Sequence, residues 1–191
     1  MLPALFAWEN NYTMDHNSLG GVLSREQLRA LIDSPERSLI TGMVDVDSQI
    51  QPNGVDLTLR EISRHVGPGT IGVDNADRVL PDLEPVPFDE DGWATLEPGV
   101  YHILYNEVVD IPESLTALGR PRSSLNRCGV TIHTAVWDAG YNGRSTSMLV
   151  VNNPAGFRVQ RDARVMQLVF FGMAEATAEG YRGRYQGENI G

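Results

Sequence analysis

The sequence predicts an all-β sandwich or barrel with one short helix. Three observations lead there. Short apolar stretches recur at close spacing from about residue 49 onward. Turn formers separate them, with 19 Gly and 11 Pro among 191 residues. One segment alone carries a helical period. The length fits one domain with enough chain to bury a core.

Taken in order, residues 1–21 mix aromatics with Asn, Asp and Gly and show no period. They are read as an N-terminal extension, ahead of a single domain over 22–191. Ser24 is suited to cap a helix through Arg25, Glu26, Gln27, Leu28, Arg29, Ala30, Leu31 and Ile32. Gln27 at the third position completes a capping box, Leu28, Leu31 and Ile32 share one face, and Pro35 sets the limit. Pro52-Asn53-Gly54 is a turn into a strand with Val55, Leu57 and Leu59 on one face. Asp56 lies between them and reads two ways: a solvated acid on an open face, or a residue organising a ligand.

Residues 67–91 are rich in Gly, Pro and Asp and predict hairpins and long loops. Strand character returns over residues 93–110, broken at Gly99, and Pro112 and Pro121 punctuate the next stretch. Further strands are predicted over residues 130–137, 148–152, 157–160 and 164–171. The tail from about residue 180 is polar, aromatic and Gly-punctuated, and is expected to be mobile until something orders it.

A formal charge of −10 argues against sequence-independent binding to nucleic-acid phosphates. All 15 basic residues are arginine. No apolar run approaches the roughly 18 residues of a membrane span, so no membrane partner is expected. The first eight residues lack the basic start of a secretory leader, and a cytoplasmic location is expected. Cys128 is the single cysteine, which rules out a disulfide framework and a thiolate metal site. It is expected to be a small buried hydrophobe. The four histidines have no ligand spacing; His133 is expected to be a satisfied interior imidazole.

The chemistry concentrates in residues 120–143. Arg120, Arg122 and Arg127 surround Ser123 and Ser124. Guanidinium forks, hydroxyls and backbone amides are the donors that clamp phosphate oxygens. An apolar segment follows, then one carboxylate, Asp138, and an aromatic, Tyr141, in the turn Asp138-Ala139-Gly140-Tyr141-Asn142-Gly143. Anion clamp, strand, acid and aromatic suit a nucleotide whose phosphates are attacked by water. By themselves Asp138 could merely shape its turn and Tyr141 could plug the core.

Arg-Ser-Ser-Leu-x-Arg-x-Gly-Val from Arg122, followed by Thr-Ala-Val-Trp-Asp-Ala-Gly-Tyr-x-Gly from Thr134, resembles the superfamily of dUTP pyrophosphatases (dUTPases) and dCTP deaminases. Pro-x-x-x-Asp-Leu at Pro52 and Arg-x-x-Gln-Leu at Arg164 are similar to two further blocks, in the same order. The likeness is nearest to archaeal-type dUTPases and runs from about Leu23 to the C-terminus. It implies a distorted jelly-roll β-barrel of the dUTPase type, assembled as a homotrimer with active sites at subunit boundaries.

The resemblance also implies roles. Asp138 would orient the nucleophilic water. Arg122, Ser123, Ser124 and Arg127 would bind phosphate oxygens, Tyr141 would stack on the deoxyribose and exclude a 2′-hydroxyl, and Gln167 would hold the geometry of the site. Arg184, Tyr185 and Gln186 would belong to a closing tail that excludes other water. Mg²⁺ would ride on the phosphates of dUTP, with no protein ligand named.

Deaminases of this superfamily carry a water-activating glutamate ten residues after that aspartate. Here the position is Met148, and a thioether accepts no proton. The His-x-Glu and Pro-Cys-x-x-Cys signature of zinc deaminases is absent as well. The expectation is therefore a dUTPase releasing dUMP and pyrophosphate. The alternatives are a mono- or bifunctional dCTP deaminase using another acid, and a catalytically silent nucleotide-binding relative.

Overall fold

The computed structural model describes residues 20–190. The extension proposed from the sequence therefore lies almost wholly outside the described residues.

The chain opens with β1 (Gly21–Val22), α1 (Arg25–Ile32), β2 (Ile40–Thr41), α2 (Val46–Gln49) and β3 (Ile50–Gln51). The capping box of α1 forms as expected: the Gln27 amide donates to Ser24 Oγ at 3.4 Å, and the Ser24 amide to Gln27 Oε1 at 2.9 Å. Leu28, Leu31 and Ile32 are buried, so the helix seals one end of the core. Truncating Leu28 to Ala would cost about 2–5 kcal/mol.

The long strand β4 (Gly54–Val66) comes next, then β5 (Asp82–Pro85), β6 (Trp93–Leu96), β7 (Gly99–Tyr105), β8 (Val108–Asp110) and β9 (Leu115–Pro121). Helix α3 (Ser123–Arg127) precedes β10 (Val130–His133), β11 (Val136–Trp137), β12 (Asn142–Gly143), β13 (Thr146–Val151), β14 (Phe157–Gln160) and β15 (Arg164–Gly172). The main sheet runs in the order β10-β13-β7-β4-β15-β9-β11. β4 is its hinge. Residues 55–58 pair antiparallel with β15 and residues 59–64 with β7. Register shifts in both pairings let one strand serve two partners and curl the sheet into a half-barrel.

The concave face is closed by Leu57, Leu59, Ile103, Tyr105, Leu115, Leu149, Leu168 and Phe170, all fully buried. The other face of β4 is not open, contrary to one reading of the alternation. Asp56 is 2% exposed and Thr58 1%, because α2 and the β7–β8 connection cover them. There Glu107, also buried, accepts hydrogen bonds from Gln49 Nε2 (2.6 Å), the Thr58 amide (2.9 Å) and Thr58 Oγ1 (2.6 Å). Burial pushes its carboxyl up, and the bonds from Thr58 and Gln49 act against that.

Strand β9 is not among the strands the sequence predicts; Pro112 and Pro121 are the signals that stand out there. Leu115 and Ala117 alternate inward, but Gly119 obscured the pattern. A Cβ on Gly119 would lie 2.5 Å from Met166 Sδ and 3.1 Å from Trp137 Cζ3. The glycine is thus a packing requirement of the core. Cys128 is exposed, not buried. Helix α3 sends in only Leu125, and Gly129 at φ +74° turns the chain away directly after Cys128. His133 is exposed too, at the end of β10 opposite Met148.

Candidate active site

Asp138 sits at the head of a turn fixed from below. Trp137 is buried, its indole Nε1 donates to Ser145 Oγ at 3.0 Å, and its carbonyl accepts from Thr116 Oγ1 at 3.0 Å. The Tyr141 amide closes the turn on the Asp138 carbonyl at 3.1 Å, and the Gly140 amide ties it to Ile111 at 3.0 Å. With its backbone so held, the exposed Asp138 side chain makes no hydrogen bond or ion pair among the described residues.

Asp138 and Tyr141 line a cleft of about 600 Å³, together with Glu61, Ser63, His65, His102, Tyr181, Tyr185 and Glu188. His102 lies on β7 opposite Met148 of β13, and its ring meets His65 edge-on at 6.0 Å. Burial lowers the pKa of the His102 imidazole; the charge of His65 adds to this and Glu61 opposes it. Met148 itself is 40% exposed.

Tyr141 is buried, as a core plug would be, and also lines the cleft. Its hydroxyl donates to Glu188 Oε1 at 2.9 Å and its ring meets Tyr181 edge-on at 5.9 Å. Burial first, then the Glu188 carboxylate, push its phenol well above the ordinary range.

The tail, expected to be mobile until ordered, is ordered by its own chain. The Tyr181 amide donates to the Ala139 carbonyl (2.7 Å) and the Gly187 amide to the Asn142 carbonyl (2.8 Å). Gln186 Nε2 donates to the Gly140 carbonyl (3.1 Å), while its Oε1 accepts from the Asn142 amide (3.1 Å). Tyr185 lines the cleft; Arg184 is exposed.

The anion-clamp residues lie elsewhere. Arg122 caps the start of α3, and Ser123, Ser124 and Arg127 are exposed along it, with Arg127 Nη1 donating to Ser123 Oγ at 3.1 Å. None of the four lines the cleft; Ser124 borders a separate depression of about 250 Å³ with Cys128 and Arg164. Beneath the serines, Asp56 Oδ2 stands 3.0 Å from Arg122 Nε and 3.6 Å from Arg164 Nη1. No donor is aligned along a hydrogen-bond direction of that oxygen, so the attraction is that of an ion pair. Burial raises the Asp56 carboxyl, and the two guanidiniums oppose that. Gln167 is half-buried on β15, opposite Asp56 on β4 and Arg120 on β9.

The structure thus brings Asp138, Tyr141, Tyr185 and Gln186 together. It separates Arg122, Ser123, Ser124, Arg127 and Gln167 from them within one chain. Sequence reasoning missed Tyr181 and Glu188, whose neighbours lie some forty residues away in the chain; no local spacing signals such contacts.

The profile of the dCTP deaminase-like family matches residues 22–173, and the chain belongs to that family. It is 51% identical over 168 residues to a probable deoxyuridine 5'-triphosphate nucleotidohydrolase of Methanosarcina mazei, covering 88% of this chain and 98% of that protein. A protein of the same name from Archaeoglobus fulgidus is 48% identical over 169 residues, with 88% and 98% covered. The fold is similar to that of a 2'-deoxycytidine 5'-triphosphate deaminase from Agrobacterium tumefaciens, at a TM-score of 0.63 and 23% identity. That match takes in 81% of this chain and about half (49%) of the longer deaminase chain.

Proposed function

We propose that the chain is a dUTP diphosphatase, hydrolysing dUTP to dUMP and pyrophosphate. The observation that carries this reading is the Asp138 carboxylate in the cleft, unpaired among the described residues, while Met148 stands where a deaminase of this superfamily needs a glutamate. Relatives near 50% identity bear the corresponding name.

Asp138 takes a proton from water as the water oxygen attacks the α-phosphorus in line. The new P–O bond forms as the bond to the α,β-bridging oxygen breaks, and pyrophosphate leaves with that electron pair. Tyr141 packs against the deoxyribose. Tyr185 and Gln186, with Arg184 beside them, form the tail wall that keeps other water out. Arg122, Ser123, Ser124 and Arg127 hold the phosphate oxygens, and Gln167 supports the strand row beneath them.

Because these donors lie outside their own chain's cleft, they serve a neighbouring copy, which is the reason to propose a homotrimer with shared sites. Among the described residues no three His, Cys, Asp or Glu side chains converge as a metal cage. Mg²⁺ would be held by the phosphate oxygens of the nucleotide, where it would offset their charge. No helix among the described residues is long and apolar enough to cross a membrane.

The test is to incubate the protein and Mg²⁺ with dUTP and, separately, dCTP, and to quantify pyrophosphate and ammonia. Pyrophosphate from dUTP alone is expected. Ammonia from dCTP would turn attention to Glu61 or Glu188, the other carboxylates of the cleft. No turnover with either would make the chain a silent binder.

A further inference from the structure

Tyr141 is gripped on three sides. Tyr181 meets its ring edge-on at 5.9 Å. Gly143 lies so close that an added Cβ would stand 2.5 Å from the Tyr141 hydroxyl and 3.2 Å from Glu188 Cγ. The hydroxyl donates to Glu188 Oε1 at 2.9 Å. Glu188 is itself fixed through its backbone, whose carbonyl accepts from the Arg144 amide at 2.9 Å. The next residue is clasped from both ends: Arg144 Nε donates to the Asn189 carbonyl (2.9 Å) and Asn189 Nδ2 to the Arg144 carbonyl (3.0 Å).

We propose that Glu188 is a positioning residue for sugar selection: by accepting the Tyr141 hydroxyl it locks the ring that the deoxyribose packs against. The inference rests on the dUTPase reading and deepens it. A ring that excludes a 2′-hydroxyl must be unable to retreat, since the added oxygen asks for only a small displacement. Edge-on contact with Tyr181 restrains the ring in one direction. The bond to Glu188 restrains its far end, and that restraint is as rigid as the tail backbone that carries it. Hydrogen bonds to an ionised acceptor are about twice as strong as neutral ones, and a buried phenol without a partner carries a desolvation cost. Discrimination of the sugar is therefore coupled to the docked tail through this one contact.

The experiment measures kcat/KM for dUTP and UTP on the full chain by pyrophosphate release. In Glu188→Ala the dUTP:UTP ratio is expected to fall about tenfold, the scale of one charge-assisted hydrogen bond. Glu188→Gln, which keeps an oxygen acceptor, is expected to hold the ratio within about twofold of the wild type. In a Tyr141→Phe background Glu188→Ala should change the ratio no further, because the bond it removes is already gone. Should Glu188→Ala not fold, Glu188→Asp, one methylene short of the hydroxyl, must lower the ratio instead. An unchanged ratio in an active Glu188→Ala enzyme, or an equal fall in the Tyr141→Phe background, overturns the proposal and leaves the dUTPase reading intact. A wild-type protein that does not hydrolyse dUTP overturns both.

Discussion

Asp56 on β4 and Arg122 at the edge of α3 meet at 3.0 Å beneath the Ser123–Ser124 pair, and Arg164 of β15 approaches the same carboxylate oxygen at 3.6 Å. One buried acid thus ties the middle of the sheet to the helix that carries Ser123, Ser124 and Arg127. Removing it would leave two half-buried guanidiniums without the carboxylate they share. Asp56→Ala is expected to cost about 2–3 kcal/mol, at the low end for a broken buried pair because each arginine is about a third exposed. Denaturant melts check this; a loss below about 0.5 kcal/mol would mean the ion pair is idle.

Asp138→Asn keeps the size of the side chain and removes its capacity to take a proton. The backbone bonds that fix the turn come from Thr116, Ile111 and Tyr141 and do not involve the carboxylate. Pyrophosphate release from dUTP should fall by about 10²–10⁴-fold, with KM little changed. Near-normal turnover would remove Asp138 from the role of base.

His102 should titrate below the ordinary imidazole range, because burial and the neighbouring His65 both disfavour its cation. With the folded pKa depressed, the stability this group contributes is present above the ordinary value of about 6.5 and is lost as pH falls through the lowered value. Proton NMR of the ring gives the midpoint directly. His65→Asn should raise it by removing one of the two causes; a midpoint that stays put would assign the whole effect to burial.

Gly140 adopts φ +82°, and a Cβ there would meet Gly180 Cα at 2.5 Å and the Tyr181 nitrogen at 2.8 Å. Gly140→Ala combines backbone strain of roughly 1–2 kcal/mol with a clash against the tail. The expected outcome is a tail lifted from the turn. Hydrogen exchange at the Tyr181 and Gly187 amides, which donate into that turn, should accelerate while β7 and β13 stay protected. Unchanged exchange at both amides would mean the tail accommodates the methyl group.

Much of this architecture is legible locally. The capping box of α1, the turn before β4 and the short apolar stretches that become β7 and β14 each depend on residues within a few positions of one another, so spacing alone reveals them. Strand β9 is hidden in sequence by Pro112 and Pro121 and by Gly119, against which Met166 and Trp137 press. A residue chosen to make room for distant side chains looks, in sequence, like a breaker. Cys128 and His133 were expected inside and lie outside, since burial depends on where a five-residue helix and a strand end happen to face.

For the candidate site the division has the same physical origin. By itself the sequence determined the kind of chemistry on offer: an acid at Asp138, a thioether at Met148, and a cluster of guanidinium and hydroxyl donors around Ser123 and Ser124. Those are properties of side-chain atoms and need no neighbours. Only the tertiary structure decided that Asp56 is a buried counter-ion, that the donors stand apart from their own chain's cleft, and that Glu188 reaches Tyr141. Those relations come from a sheet curled about β4 and a tail folded back on the Asp138 turn, and contacts across such distances in the chain leave no period or spacing to read.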